Sequence, residues 1–171
     1  KSILKLKSDT RQLKTPVYED LLKNGNAISN SSVVIRKEVI DKIGGFSENK
    51  DLIACEDYDA WLRASKFTEN FTLINNILGY YWLGDNNITT PRSKIRNLNA
   101  IKLIHIDYNP EIFPNGPPSW YTYEFGKVQH KLGDYNKSYR VFLEIIKYKS
   151  LTLIYIKSLV YLIMTWLKLI K

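Results

Sequence analysis

The spacing of apolar residues along the chain differs between its first two thirds and its last third. Three short runs rich in β-branched and aromatic residues predict strands, at residues 28–35, 71–74 and 77–83. Three further runs with apolar residues on one face predict helices, at residues 37–43, 56–66 and 92–107. In chain order, residues 1–108 therefore contain a predicted strand, two helices, two strands and a helix.

The pattern beyond residue 108 is different. Four of the six prolines fall within residues 109–119, so we expect a proline-rich linker and a domain boundary there. From residue 120 to the end the apolar period is helical. Two helices are predicted at residues 121–132 and 136–147, joined by a turn at Gly133. The sequence therefore predicts an all-α C-terminal segment over residues 120–171.

Residues 151–170 form a third, almost wholly apolar helix in which only Lys157 and Lys168 are charged. Its length suits a membrane span, but a lysine at membrane depth is costly. The polar residues gather on one side of a helical wheel: Lys157, Ser158, Tyr161, Thr165, Lys168 and Lys171. This amphipathic pattern favours a helix lying in the membrane interface. A helix buried in a C-terminal bundle and a true span are the alternatives.

The net charge of +8 is concentrated at the C-terminal end. Residues 1–125 contain 16 Lys/Arg and 15 Asp/Glu, whereas residues 126–171 contain 9 and 2, a net charge of +7. The lysines alternate with long aliphatic residues, and no zinc-finger spacing or basic recognition helix is present, which argues against nucleic acid. We expect an anionic membrane surface as the partner. A single cysteine, Cys55, excludes an intramolecular disulfide and suits a reducing compartment.

The candidate chemistry lies in residues 44–63, where a G-G-F turn and a polar loop precede three carboxylates, Glu56, Asp57 and Asp59. Acidic residues in the first turn of a helix are favoured by the helix dipole alone, which is a structural explanation. In the functional explanation, adjacent acids held at a loop–helix junction face a cleft, and one acts as a general base toward a hydroxyl. Their spacing alone does not decide between the two.

Three segments in order resemble the second half of the catalytic domain of a family 2 glycosyltransferase, which has the GT-A fold. Residues 30–40 and the G-G-F at 44–46 resemble the strand, helix and turn of that family. Residues 56–63, E-D-Y-D-A-W-L-R, resemble its E-D-x-D-x-W-x-R segment. Residues 81–89 resemble the strand and loop that close its acceptor side. The resemblance implies an α/β fold, the acceptor-side half of a GT-A domain.

The resemblance also implies a reaction. A sugar passes from a nucleotide-sugar to an acceptor hydroxyl with inversion, and Asp57 is the base that removes the acceptor proton. Glu56 positions the acceptor or the loop, and Asp85 is counted with the substrate-binding residues of the closing loop. Of the aromatic residues at 80–82, Trp82 lies next to the loop at 84–87 and is expected to stack on the acceptor sugar, whereas Tyr80 fits the role of a half-buried strand residue at least as well. Gly84 stands where many members of the family have a metal-binding histidine.

The part of the family that binds the nucleotide has no counterpart in the sequence, since no D-x-D precedes residue 57. We therefore expect a fragment that is incomplete and inactive alone, with a Mg²⁺ or Mn²⁺ site whose ligands lie mostly outside the chain. The expected acceptor is a saccharide or lipid-linked saccharide of bacterial surface polysaccharide assembly, on the cytoplasmic face of the cell membrane. The alternative is a non-catalytic remnant that acts as a membrane-associated or partner-binding module.

Overall fold

A computed structural model of the protein describes residues 10–76, 90–147 and 152–170. The regular elements of these residues are all helical. Seven are α-helices: α1 (Val17–Asn24), α2 (Lys37–Lys42), α3 (Glu56–Ala64), α4 (Pro91–Ile101), α5 (Ser119–Lys131), α6 (Tyr135–Lys147) and α7 (Leu153–Leu169). Two short 3₁₀-helices lie at Asn30–Ser32 and Lys50–Leu52, and a π-helical turn, Lys102–Ile106, continues α4.

The prediction of an α/β fold, the acceptor-side half of a GT-A domain, is wrong for the described residues, because they contain no strand and no sheet. Residues 28–35 contain the 3₁₀-helix Asn30–Ser32 instead of a full strand, and Val33 is extended but pairs with no neighbour. Residues 71–74 are irregular. A β-strand is stabilised by hydrogen bonds to a second strand, and the described residues supply none. The predicted strand at residues 77–83 lies outside the described residues.

The described chain divides into two compact units. The first consists of residues 10–46 and 57–76 and contains α1, α2 and most of α3. Its core is apolar and is built mainly by α1 and α3, with the buried residues Val17, Leu21, Leu22, Tyr58, Ala60, Trp61 and Leu62. The Tyr58 hydroxyl donates a hydrogen bond of 2.8 Å to the Leu21 carbonyl, which joins the two helices. Burial raises the pKa of the Tyr58 phenol well above its usual value.

The second unit consists of residues 47–56, 90–147 and 152–170. Helix α4 begins with a capping box between Thr90 and Ser93 and packs against the 3₁₀-helix Lys50–Leu52. Helix α6 packs against both α5 and α7. Gly126 of α5 lies directly against the fully buried ring of Phe142 on α6. Helices are therefore present near residues 121–132 and 136–147, as predicted.

Helix α7 packs against the bundle through small polar residues. Ser158 and Thr165 are fully buried, and their hydroxyls donate to the carbonyls of Ile154 and Tyr161 one turn earlier. Lys157 and Lys168 of the same predicted polar stripe are exposed. The stripe is thus divided between the protein interior and the surface. None of the helices within the described residues combines the length and apolar character required to cross a membrane.

Candidate active site

Helix α3 begins at Glu56, directly after a tight turn in which Ala54 has a left-handed φ of 70°. Glu56 and Asp57 occupy the first turn of the helix, where a carboxylate is stabilised by the unpaired N–H groups and the helix dipole. Four of the next five residues, from Tyr58 to Leu62, are apolar and buried. The segment therefore changes from partly exposed acids to core residues within one turn.

Asp59 lies on the buried side of α3. Its side chain is 4% exposed and forms an ion pair with Arg63. Both the Nε and the second terminal nitrogen of the Arg63 guanidinium lie 2.8 Å from Oδ2 of Asp59. The remaining terminal nitrogen donates to the carbonyl oxygens of Ile43 and Gly45, the latter at 2.9 Å. One guanidinium thus connects α3 to the turn that follows α2.

The G-G-F turn is completed by the packing of two aromatic rings. Gly44 and Gly45 have φ values of 70° and 78°, which side chains other than glycine rarely adopt. This turn brings the Phe46 ring edge-on to Trp61, with centroids 6.0 Å apart. Trp61 is fully buried, so it belongs to the core. Asp59, Trp61 and Arg63 of the predicted motif therefore have structural contacts.

Asp57 is placed differently. Its side chain is partly exposed, and Oδ1 accepts a hydrogen bond of 2.7 Å from the N–H of Tyr58. The amide nitrogen of Asn26 lies 3.5 Å from the other carboxylate oxygen, at the outer limit of a hydrogen bond. These contacts orient the carboxylate at the start of the helix, next to the turn after α1. Asn26 is a site residue that the sequence indicates only as part of a turn.

Glu56 precedes Asp57 in the chain and is also partly exposed, but its Oε2 atom is buried and has no hydrogen-bond partner within the described residues. Buried carboxylate oxygens are nearly always hydrogen-bonded in folded proteins. The Glu56 carboxylate thus combines a buried oxygen without a partner in the described residues with a partly exposed side chain at the helix start. Trp82 and Asp85, the other predicted substrate-binding residues, lie outside the described residues, as does Gly84.

Metal ligands were expected mostly outside the chain. Within residues 10–76, 90–147 and 152–170, no three His, Cys, Asp or Glu side chains form a group that fits a metal ion. His130 is instead a structural residue, since its Nδ1 lies 2.9 Å from the Thr165 hydroxyl. Comparisons with protein-family models, with curated proteins and with solved structures each found no match for this chain.

Proposed function

We propose that this chain is part of an inverting glycosyltransferase of the family 2 type, in which Asp57 is the general base. One observation carries the proposal: the structural contacts of the E-D-x-D-x-W-x-R segment fall on Asp59, Trp61 and Arg63, while Asp57 is partly exposed and oriented by backbone and amide donors. The ion pair with Arg63 accounts for the burial of Asp59. The helix start stabilises the Asp57 carboxylate and leaves it partly exposed, where an acceptor hydroxyl could reach it.

The reaction needs one proton acceptor on the acceptor side. As the acceptor oxygen forms its bond to the anomeric carbon, the bond from that carbon to the nucleoside diphosphate breaks with its electron pair. The acceptor hydroxyl proton passes to the carboxylate of Asp57. The Glu56 carboxylate accepts a hydrogen bond from a second hydroxyl of the acceptor and so fixes the orientation of the acceptor. In the described residues no group of side chains is suited to hold the expected Mg²⁺ or Mn²⁺ ion.

The experiment is a sugar-transfer assay on the full-length gene product that contains this chain, with UDP- and GDP-sugars as donors and a bacterial membrane lipid extract as the acceptor. Asp57→Asn should lower kcat by about 10²- to 10⁴-fold, the usual contribution of a general base. Glu48→Gln, a matched neutralisation of an exposed acid in the preceding loop, should keep wild-type turnover. Equal turnover in Asp57→Asn, or no transfer by the wild type, would contradict the proposal.

We also propose that the protein is peripheral on the inner face of the cell membrane, bound through α7. Eight large apolar side chains of this 17-residue helix are exposed: Leu153, Ile156, Val160, Ile163, Met164, Trp166, Leu167 and Leu169. Five of them recur every three or four residues and form one continuous strip, at positions 153, 156, 160, 163 and 167. Exposed apolar surface of this extent is typical of a docking surface.

Charge complementarity supports an anionic bilayer as the occupant of this strip. Helix α7 contains no acidic residue, and the exposed Lys157 and Lys168 border the strip, each one position after one of its apolar residues. Residues 126–171 carry 9 basic and 2 acidic residues, which favours approach to anionic lipids. The exposed Trp166 suits the headgroup level. This location is compatible with a lipid-linked acceptor and equally with the alternative of a non-catalytic membrane module.

A further inference from the structure

An open cavity of about 400 Å³ lies on one face of α4 in the second unit. Its polar lining comes from Arg92, Arg96 and Asn99 of the helix and from Asp51 of the neighbouring 3₁₀-helix. The apolar part consists of Ile95, Ala100 and Leu103. The two arginines and Asn99 are four and three residues apart, so they lie on the same face of α4.

The guanidinium groups of Arg92 and Arg96 have no acidic partner in the described part of the chain. Neither Arg92 nor Arg96 takes part in an ion pair within the described residues, and Asp51 does not pair with them across the cavity. Like charges four residues apart on a helix repel each other. The Nε atom of Arg96 is also buried without a hydrogen-bond acceptor in the described part of the chain. Two positive charges without an acidic partner in the described residues therefore lie on this side of the cavity, which favours an anion.

The surroundings suit a phosphate group. Arg92 is the second residue of α4, whose first turn contains no acidic residue, so the positive end of the helix dipole adds to the charge of the guanidinium. Two arginines offer planar, bidentate donors that match phosphate oxygens. Asp51 and Asn99 supply a carboxylate and an amide, which are suited to hydroxyl groups on the same ligand.

We propose that this cavity binds the phosphoryl group of a phosphorylated ligand, with Arg92 and Arg96 on the phosphate and Asp51 on a ligand hydroxyl. The phosphoryl group belongs either to a soluble sugar phosphate or to a lipid headgroup. The inference rests on the α4 cavity alone and holds whether or not Asp57 is a catalytic base. A phosphate or sugar-phosphate ligand at α4 would place a second recognition element in the same chain, separate from the acids of α3.

Isothermal titration of the protein with inorganic pyrophosphate and with glucose 1-phosphate tests the soluble source. Arg96→Gln should weaken binding of both at least tenfold, and Arg92→Gln should act in the same direction. Lys94→Gln removes the same charge from the same helix outside the cavity lining and should change affinity less than about twofold, which is the screening expected of a remote charge. Far-UV circular dichroism of each variant verifies that α4 remains folded.

Asp51→Asn supplies a test with the opposite sign. It should tighten binding of pyrophosphate, because a repulsive carboxylate is removed, and weaken binding of glucose 1-phosphate relative to pyrophosphate.

A lipid source is tested with vesicles containing phosphatidic acid or, at equal surface charge, phosphatidylglycerol. Preference for phosphatidic acid that is lost in Arg96→Gln and kept in Lys94→Gln supports the lipid source. Absence of binding in all arms, or equal losses in Arg96→Gln and Lys94→Gln, would overturn the proposal.

Discussion

Asp59 and Arg63, one helical turn apart on α3, form a largely buried ion pair in which two guanidinium nitrogens lie 2.8 Å from the same carboxylate oxygen. The rest of the guanidinium reaches the backbone of the G-G-F turn. The last acid and the arginine of the E-D-x-D-x-W-x-R segment therefore fix a turn to a helix. This assigns a structural role to one of the three carboxylates and separates it from Asp57, two residues earlier.

Replacing Arg63 with lysine keeps the charge but removes the planar fork that reaches the carboxylate and two carbonyls at once. We expect Arg63→Lys to lower the free energy of unfolding by about 1–3 kcal/mol, the cost of losing hydrogen bonds to a charged group. Urea unfolding followed by circular dichroism measures it. Lys37→Gln is the control, because it removes an exposed ion pair in which Nζ of Lys37 lies 4.0 Å from Oδ2 of Asp41. It should change the free energy of unfolding by no more than about 0.5 kcal/mol. Equal stability of the two variants would contradict the anchoring role of Arg63.

Gly126 marks the closest approach of α5 to α6. A Cβ atom at this position would lie 2.9 Å from Cζ of Phe142 and 3.0 Å from Cγ1 of Val141. Alanine favours a helix by up to about 1 kcal/mol over glycine, but overpacking against a fully buried ring costs about 1–3 kcal/mol. We expect Gly126→Ala to lower the thermal unfolding midpoint. Asn136→Ala, at an exposed position of α6, is the control and should not lower it; stabilisation by Gly126→Ala would show that the helices separate easily.

His130 gives the second unit a pH dependence. Burial, helped by the positive charge of Lys168, lowers the pKa of its imidazole below the ordinary value of 6.5. Because the unfolded chain then binds more protons near pH 6, this contribution to stability is present above about pH 6.5 and is lost as the pH falls toward the folded pKa. The unfolding free energy should decrease between pH 7 and pH 5, and His130→Gln should flatten that slope. An unchanged slope would contradict the assignment.

The proposed membrane surface predicts flotation of the protein with vesicles containing phosphatidylglycerol. Ile163→Glu places a charge in the centre of the apolar strip and should reduce the bound fraction by tenfold or more, since burying an unpaired charge is costly. Asn136→Glu introduces the same charge at an exposed position of α6 and should have a small effect. The proposal that a membrane covers the apolar strip of α7 would be contradicted if the wild-type protein stayed unbound. It would also be contradicted if the protein formed a stable dimer through α7 and did not bind the vesicles.

Helices with a strong apolar period were predictable from the sequence. The period places α3, α5 and α6 within one or two residues of their observed bounds, because one face of each helix is buried. The orientation of α7 was not predictable in the same way. Ser158 and Thr165 satisfy their hydroxyls within the helix and so can be buried, which a helical wheel that groups them with lysines does not show.

The strands at residues 28–35 and 71–74 were wrongly predicted because β-propensity reports how well side chains fit a pleated surface and does not supply a partner strand. Val34 is fully exposed, and its neighbours Val33 and Ile35 are only partly buried. The candidate site was likewise only partly predictable from the sequence. The acidic cluster at the start of α3 is visible in the sequence, whereas the burial of Asp59 and of the Glu56 Oε2 atom is seen only in the structure.

The most direct test of the central claim compares Asp57→Asn and Asp59→Asn in the full-length gene product, with transfer rate and unfolding midpoint measured on the same samples. Asp57→Asn should abolish most turnover, about 10²-fold or more, and lower stability by less than about 1 kcal/mol, the contribution of a charge at a helix start. Asp59→Asn should lower stability by about 1–3 kcal/mol through the loss of its charged hydrogen bonds to Arg63. Turnover that survives in Asp57→Asn, or a stability loss confined to that variant, would contradict the separation of roles between the two aspartates.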